Sequence, residues 1–438
     1  MLEYIKPTEN NILDCMLKDS LARNRILFSF CEEIMTMNEA VTIALDGGWG
    51  TGKSFFVKQA KMIFDALNPQ VEIEENIRNS ILNLIEGKLE PESITENVSY
   101  TVYYDAWDQD DSVDPLLSLL YAIAIETNSK TLLSMPPKIG EVAGKVIDSI
   151  STYEIFGILK SARSENPLDV IETQHKLKEN INWYLNELHI ERGNRLNIII
   201  DELDRCSPAF AIKLLERIKH FVDHDNITFI FAVNIQGLEK TVRHFYGTNI
   251  EGTRYLDRFF DLRMMLPITE DSQIAQLDFG TIHTGIMVCQ HMVKRLGMSL
   301  RESLRYAKLY RMACRYDIYE TACTLWKRYL LPIALAFEIT DMDRYQRFMT
   351  GNGKADLNIL LETDNLQRFL TNDFVGSQEN QIDPNPAETL QSIIEEFYMA
   401  IFNNDFSRNH TYTLSNRIEV SLSCKQFIFK TIGLFNPF

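Results

Sequence analysis

The feature that most constrains the fold of this chain is a glycine-rich turn between an apolar run and an amphipathic segment. Residues 40–45 are short, apolar and β-branched, which predicts a buried strand. The turn, residues 47–54, has the spacing G-x-x-x-x-G-K-S, and the segment after it places Phe56, Ala60 and Ile63 on one face of a helix. A strand, a glycine turn and a helix in this order predict the start of a parallel sheet covered by helices.

The turn itself predicts a site for phosphate groups. Its backbone N–H groups converge on an anion, and the N-terminus of the following helix adds partial positive charge. Lys53 then reaches the β- and γ-phosphates, and the Ser54 hydroxyl ligates Mg²⁺. Because the sequence has no N-K-x-D motif for guanine, we expect ATP with Mg²⁺; a structural turn with an incidental lysine is the alternative. The residues expected to hold the nucleotide are Gly47, Gly48, Trp49, Gly50, Thr51, Gly52, Lys53 and Ser54.

A pair of acids is the natural partner of this turn. Residues 196–200 are continuously apolar and predict another buried strand, which ends in Asp201 and Glu202. A carboxylate at such a position holds Mg²⁺, and the next one polarises the water that attacks the γ-phosphate. We therefore predict Asp201 as a metal ligand together with Ser54, and Glu202 as a catalytic residue. A solvated strand terminus is the alternative.

Two more residues join Lys53 and Glu202 as candidates for catalysis. Asn234 follows the apolar run 227–233, where an amide can hydrogen-bond the γ-phosphate or the attacking water; a turn-forming asparagine is the alternative. Arg258 offers a cation to the transition state, because an arginine on the γ-phosphate speeds transfer by several powers of ten. An ordinary surface arginine is the alternative.

Other charged residues receive less specific predictions. Asp204 and Arg205 are expected to form an ion pair that shapes the site or to contact a neighbouring subunit, unless they are only a charge pair at a helix start. A capping box at residues 299–302 opens a helix with a basic face formed by Arg301, Arg305 and Lys308. We expect this face to be solvated; contact with the nucleotide from the helical domain is the alternative. Trp107 is expected to pack, whereas water positioning is assigned to the acids around it, Asp105, Asp108, Asp110 and Asp111.

The whole chain predicts two domains. Strands and helices alternate up to Pro267, and the strands are apolar throughout, which is typical of a parallel α/β sheet with helices on both faces. Beyond that residue the pattern is mainly helical. We predict a nucleotide-binding α/β domain at 1–267, with insertions at about 70–97 and 130–168, and a helical C-terminal domain at 268–438.

Two local predictions can be compared directly with a structure. Residues 11–37 have the apolar spacing of a helical segment. Residues 371–388 are polar and rich in Pro and Asn, which indicates a loop.

Composition limits the partners and the compartment. Lys and Arg number 44 against 61 Asp and Glu, a net charge of −17, so nucleic-acid binding is not indicated. The 7 cysteines have no C-x-x-C spacing, which argues against a zinc site or a disulfide framework and for a reducing compartment. The first residues lack a signal-peptide pattern, and the most apolar stretch, 115–125, is too short to span a bilayer. We expect a cytoplasmic protein without a transmembrane segment.

Six segments together resemble the KAP family of P-loop NTPases. They are residues 47–54 with Trp49 inside the turn, Asp-Ser-Leu-Ala-Arg at 19–23, Tyr-Asp-Ala-Trp at 104–107, Ile-Asp-Glu-Leu-Asp-Arg-Cys at 200–206, Phe-Ala-Val-Asn at 231–234 and Tyr-Leu-Asp-Arg-Phe-Phe at 255–260. The resemblance covers about residues 15–267. It implies an ATPase of the additional-strand class, related to AAA+ and STAND proteins. It also implies Lys53 and Ser54 at phosphate and Mg²⁺, and Asp201 and Glu202 at metal and water.

The sequence departs from this family in three places, one of which is Ala22 where the N-terminal element Asp-x-Leu-Gly-Arg has glycine. Members often carry transmembrane helices between the two nucleotide motifs, whereas residues 130–168 contain no apolar span here. The usual Asp after Ala-Val is Asn234 in this chain. Several bacterial members are linked with phage exclusion and defence, which the resemblance suggests for this chain at the family level.

These observations support two hypotheses of different classes. The first is an ATPase whose nucleotide state drives conformational change or assembly, with a protein partner bound by the C-terminal helical domain, and with function as a homo-oligomer in anti-phage defence. The second is a scaffold that binds ATP tightly, hydrolyses it slowly and assembles on a trigger. A small-molecule phosphotransferase is a third reading, for which the sequence shows no substrate-binding residues.

Overall fold

The computed structural model divides into two compact units, Met1–Pro267 and Ile268–Phe438. The structure describes residues 7–37, 39–89, 98–112, 114–129, 179, 182, 185, 193, 195–221, 226–266, 274, 277–315, 320–375, 386–402 and 411–433. The insertion predicted at 130–168 lies outside these described residues.

The first unit is built on a five-stranded parallel sheet with the strand order β2-β3-β4-β1-β5. The strands are β1 (Val41–Asp46), β2 (Ser99–Asp105), β3 (Arg195–Asp201), β4 (Ile227–Val233) and β5 (Leu262–Met265). Strands β3 and β4 are buried at every position, which is why their sequences are almost continuously apolar. The predicted α/β fold with a parallel sheet is confirmed.

Helices cover both faces of this sheet. They are α1 (Glu9–Leu17), α2 (Asn24–Thr36), α3 (Lys53–Leu67), α4 (Glu75–Ile85), α5 (Pro115–Ser129), α6 (Pro208–Phe221), α7 (Ile235–Tyr246) and α8 (Gly252–Leu256). Ile199 and Ile230 enter a core shared with α1 to α4. Ile198 and Ile200 enter a second core, shared with α5 to α7. Neighbouring residues of β3 enter different cores because side chains alternate between the two faces of a strand. Helix α4 lies inside the predicted insertion 70–97.

The predicted helical segment 11–37 is interrupted between α1 and α2. Asp19 and Ala22 have φ angles of 45° and 48°, in the left-handed region where a helix cannot continue. The Asp19 carboxylate accepts hydrogen bonds from the backbone N–H groups of Arg23 and Asn24, at 2.9 and 3.0 Å. The Asp19 carboxylate therefore caps the start of a second helix, α2. The apolar spacing alone predicted one helical segment where the structure has two helices.

The second unit is mainly helical, as predicted, and contains one short antiparallel strand pair. Its helices are α9 (His283–Leu296), α10 (Leu300–Cys314), α11 (Thr321–Leu325), α12 (Leu331–Thr340), α13 (Met342–Met349), α14 (Asp364–Leu370), α15 (Pro386–Phe402) and α16 (Leu422–Gly433), and its strands are β6 (Thr411–Thr413) and β7 (Glu419–Ser421). The loop predicted at 371–388 is partly wrong, because Thr371–Val375 is a π-helical turn and α15 begins at Pro386. Residues 376–385 lie outside the described part of the chain.

The cysteine spacing argues against a disulfide framework, but one pair of cysteines among the described residues is joined. Cys323 on α11 and Cys424 on α16 form a disulfide, with their Cα atoms 5.8 Å apart and 101 residues between them in the sequence. Sequence spacing could not indicate this pair, because the fold of the second unit brings the two helices together.

Among the described helices, none is both long and apolar enough to cross a membrane. The apolar stretch at 115–125 lies in α5, which has 15 residues.

Candidate functional site

The glycine turn joins the carboxyl end of β1 to the start of α3. Gly50 and Gly52 have φ angles of 79° and 91°, which glycine adopts without strain. A Cβ atom at Gly47 would lie 2.8 Å from Thr51 Oγ1, so this position also has no room for a side chain. The sequence of the turn therefore follows from its backbone path.

Lys53 is the first residue of α3, and its side chain folds back over the turn. Its ammonium group donates hydrogen bonds to the carbonyl oxygens of Gly47 and Gly48, at 2.6 and 3.1 Å. The residue is only 8% exposed, and burial lowers the pKa of its ammonium, while the nearby acids Asp204 and Asp201 act in the opposite direction. A buried positive charge thus lies within the turn.

The predicted metal ligand Asp201 ends β3 at the same edge of the sheet, since the carboxyl ends of parallel strands meet there. Its carboxylate is 1% exposed and accepts a 2.8 Å hydrogen bond from the Tyr103 hydroxyl on β2. Burial raises the pKa of Asp201, and hydrogen bonds from Ser54 and Tyr103 lower it. The fold therefore brings Ser54 and Asp201 together.

Glu202 follows Asp201 and also contacts Ser54. Its backbone φ is 61°, in the left-handed region. The Ser54 hydroxyl lies 3.3 Å from its Oε1 atom and donates to it, while Arg205 forms an ion pair with Oε2. Burial and the neighbouring Asp201 raise the pKa of Glu202, and Arg205 lowers it. A non-glycine residue held in this conformation stores strain of about 1–3 kcal/mol, and such residues cluster at functional sites.

The predicted ion pair between Asp204 and Arg205 is wrong. Asp204 accepts a 2.6 Å hydrogen bond from the Trp49 indole N–H in the glycine turn, and Arg205 pairs with Glu202. Both lie on a one-turn 3-10 helix that directs successive side chains to different partners. The prediction that Trp107 packs is also corrected, because its side chain is 54% exposed and its ring lies 5.4 Å from the Arg205 guanidinium.

Asn234 and Arg258 lie at different edges of the sheet. Asn234 follows β4 beside the glycine turn, since the N–H of Gly47 donates a 3.2 Å hydrogen bond to the Val233 carbonyl. The Asn234 side-chain oxygen accepts a 3.1 Å hydrogen bond from the N–H of Gly237 and so caps α7. Arg258 is exposed and precedes β5, near Asp261, whose carboxylate accepts a hydrogen bond from the N–H of Thr42 at the start of β1. Arg258 therefore lies near the amino ends of the strands, at the edge opposite the glycine turn.

The remaining charged candidates have mainly local contacts. Asp105 accepts hydrogen bonds from the backbone N–H groups of Trp107 and Asp108, and Asp110 accepts them from Ser207 at the start of α6. Asp108 and Asp111 are exposed. Arg301 and Arg305 are exposed, Lys308 is half-buried, and the capping box that starts their helix is present.

Three residues that contact this site were missed by the sequence analysis. Tyr103 hydrogen-bonds Asp201, and Asp46 accepts a 3.0 Å hydrogen bond from the N–H of Ile235 at the start of α7. Arg23, 3% exposed, donates a 2.6 Å hydrogen bond to the Thr51 carbonyl in the turn. Asp46 carried a signal that was available, because it directly follows the predicted strand 40–45.

More than half of this chain matches a known protein-family model. The family model described as the KAP family P-loop domain matches residues 23–278. A solved structure of the Aeropyrum pernix ORC2 protein in ADPNP–ADP complexes is similar over 95% of this chain and 94% of the other, with 12% sequence identity and a TM-score of 0.33. A search of curated proteins found no match.

Proposed function

The chain belongs to the KAP family of P-loop NTPases, and from this premise we propose that it binds ATP with Mg²⁺ and hydrolyses it. The hydrolytic cycle would drive conformational change or the assembly of partners. The observation that carries this proposal is the contact of Ser54 with both Asp201 and Glu202. That contact joins the glycine turn to the acids of β3, as in-line phosphoryl transfer requires.

Ser54 and Asp201 are the residues we assign to Mg²⁺. A hydroxyl and a carboxylate are the hard oxygen ligands that this ion prefers. The Asp201 carboxylate is buried beside Asp105 and Glu202, so three acidic groups meet at one place. Burial raises the pKa of Asp201, and a divalent cation would stabilise its charged form. When bound, Mg²⁺ would neutralise charge on the phosphate oxygens.

The other residues of the turn and of β3 receive complementary roles. Lys53 would exchange the carbonyl oxygens of Gly47 and Gly48 for phosphate oxygens, which are stronger acceptors because they are charged. Glu202 would polarise the attacking water. Asn234 keeps a proposed role as a contact to the γ-phosphate or the water, although its oxygen caps α7.

Arg258 supports action as a homo-oligomer. It is exposed at the sheet edge opposite the turn of its own chain, so the γ-phosphate that it could reach belongs to another copy. An interface that joins opposite edges is heterologous and generates rings or filaments. We assign Arg258 as the cation supplied between copies.

A nucleotide-gated scaffold with slow hydrolysis is the second candidate function. One observation favours it: both carboxylate oxygens of Glu202 are engaged, one by Ser54 and the other by Arg205. A carboxylate paired with a guanidinium is a weaker base, so water activation would wait for a trigger.

The deciding experiment measures ATP turnover per molecule against protein concentration. For an oligomeric ATPase we expect Glu202→Gln to lower turnover about 100-fold and Arg258→Ala by about 1,000-fold, with ATP binding retained. Mixing these two variants should restore activity, because one supplies the arginine and the other an intact site. The matched control is Arg254→Ala, another exposed arginine on α8.

Two outcomes contradict the ATPase proposal. Turnover that stays near zero and is unmoved by Glu202→Gln, together with tight ATP binding, favours the scaffold. Absence of ATP binding in the unaltered protein overturns both candidates.

The association of several bacterial members of the family with phage exclusion suggests a biological setting, in which the helical second unit would bind a protein partner in the cytoplasm. Expression of the protein in a bacterium should lower plaque counts for a sensitive phage, and Lys53→Ala should abolish that protection. Equal plaque counts across a broad phage panel would contradict this setting.

A further inference from the structure

The 3-10 turn Leu203–Arg205 after β3 contacts two separate parts of the candidate site. Asp204 accepts the hydrogen bond of the Trp49 indole at 2.6 Å and so touches the glycine turn. The next residue, Arg205, pairs with Glu202. One short turn therefore holds both the phosphate loop and the residue assigned to water activation.

Arg205 has a second partner besides Glu202. Its guanidinium carbon lies 5.4 Å from the centre of the Trp107 ring, within the range of a cation–π contact. The Arg205 side chain is 28% exposed and that of Glu202 18%, so the pair lies at the mouth of the site rather than in the core. The exposed Trp107 ring therefore helps to hold the guanidinium beside Glu202.

Glu202 is held in a conformation that does not suit a base. Its Oε1 atom accepts a hydrogen bond from Ser54, its Oε2 atom is neutralised by Arg205, and its backbone is left-handed. Mg²⁺ would compete for the Ser54 hydroxyl, but the contact with Arg205 would remain. Arg205 therefore decides whether the carboxylate is available.

We propose that Arg205 is a positioning residue that restrains Glu202 while no γ-phosphate is present, and that a γ-phosphate draws it away. This inference rests on the proposed ATPase function. A γ-phosphate offers a guanidinium two or three charged oxygens, which can accept two parallel hydrogen bonds. Glu202 offers Arg205 only Oε2, because Oε1 accepts a hydrogen bond from Ser54. ADP lacks that group, so ADP leaves Arg205 on Glu202 and Trp107.

The proposal can be tested by combining turnover with the fluorescence of Trp107. In the unaltered protein, a non-hydrolysable ATP analogue should change the Trp107 emission and ADP should not, because only the analogue moves the guanidinium from the ring. The variant Trp107→Phe identifies that part of the signal, since the chain has 4 tryptophans.

In Arg205→Ala we expect the difference between analogue and ADP to vanish. We also expect basal turnover to rise about fivefold or more, the size of a typical coupling between two states. Arg205→Lys keeps the charge without the fork and should give an intermediate result. The matched control is Arg217→Ala on α6, whose guanidinium pairs with Asp114 at 3.2 Å, and it should leave both readouts unchanged.

Two results would overturn the proposal. If Arg205→Ala binds the analogue and keeps the full fluorescence difference, Arg205 does not respond to the γ-phosphate. If its turnover falls instead of rising while circular dichroism shows a folded protein, Arg205 aids the reaction rather than restraining it. Failure of the ATPase proposal is distinguishable, because the unaltered protein would then either bind no nucleotide or bind ATP tightly with turnover near zero.

Discussion

The two units of this protein bury polar groups in opposite ways. In the first unit, the charged side chains of Lys53, Asp201 and Asp204 are at most 9% exposed and gather at one edge of the sheet. In the second, two buried tyrosines of the helical core donate to backbone carbonyl oxygens, Tyr306 to Pro332 at 2.7 Å and Tyr310 to Lys327 at 2.9 Å. The first arrangement concentrates charge, and the second removes isolated polar atoms from an apolar core.

This difference separates a functional site from a structural core. Burying charge costs free energy unless a partner compensates it, so a cluster of buried charges is retained where a ligand completes it. A tyrosine that satisfies one carbonyl adds packing area and leaves no charge to compensate. Substitutions in the two units should therefore affect different measurable quantities.

The largest effect on stability is expected for Phe348→Ala in the second unit. Phe348 is fully buried and its ring lies 5.0 Å from that of Tyr398 and 5.8 Å from that of Phe337. Removing the ring should lower the free energy of unfolding by about 3–5 kcal/mol, measured by urea denaturation. ATP affinity of the folded variant should be unchanged; a weaker affinity would show that the two units are energetically coupled.

For Lys53→Ala in the first unit we expect a large change in ATP affinity and a small change in stability. Loss of the ammonium group should weaken ATP binding by about 100-fold or more, or about 3 kcal/mol, in a calorimetric titration. The free energy of unfolding should change by less than about 1 kcal/mol, because two lost hydrogen bonds are offset by removing a buried charge. Unchanged ATP affinity would refute the assignment of the site.

Glycine-to-alanine substitutions in helices should change the stability of the protein by smaller amounts. We expect a loss of stability in the second unit and a gain in the first. A Cβ atom at Gly285 on α9 would lie 1.8 Å from the Tyr310 hydroxyl, so Gly285→Ala should destabilise the protein by about 1–3 kcal/mol. At Gly237 on α7 the nearest atoms lie 3.5 Å away, so Gly237→Ala should stabilise it by roughly 0.5–1 kcal/mol through helix propensity. Thermal melting of both variants checks this.

The double variant Gly285→Ala, Tyr310→Phe tests whether the Tyr310 hydroxyl causes the loss of stability in Gly285→Ala. Removing the hydroxyl should recover part of the loss, since the interaction energy of contacting residues departs from additivity by about 0.5–3 kcal/mol. Strictly additive losses would show that the Tyr310 hydroxyl is not the cause.

Much of the fold and part of the site could be predicted from local sequence. The glycine spacing at 47–54 and the apolar strands of residues 196–200 and 227–233 each carry their signal within a few residues. The shared edge of Ser54, Asp201 and Glu202 then follows, because parallel strands place their carboxyl ends together. The α1–α2 break was missed, since one aspartate side chain overrides the apolar spacing there.

The sequence by itself determined the parallel α/β sheet, the helical second unit and the residue types at the phosphate turn, because these depend on short-range periodicity and on backbone angles that glycine permits. Tertiary structure alone decided the partners of the long side chains. Trp49 meets Asp204 across 155 residues, and Cys323 meets Cys424 across 101. Arg205 forms its ion pair with Glu202 and not with the adjacent Asp204, because the 3-10 turn directs adjacent side chains apart. The contacts of Trp49 and Cys323 depend on where distant elements meet in space, for which the sequence has no local signal.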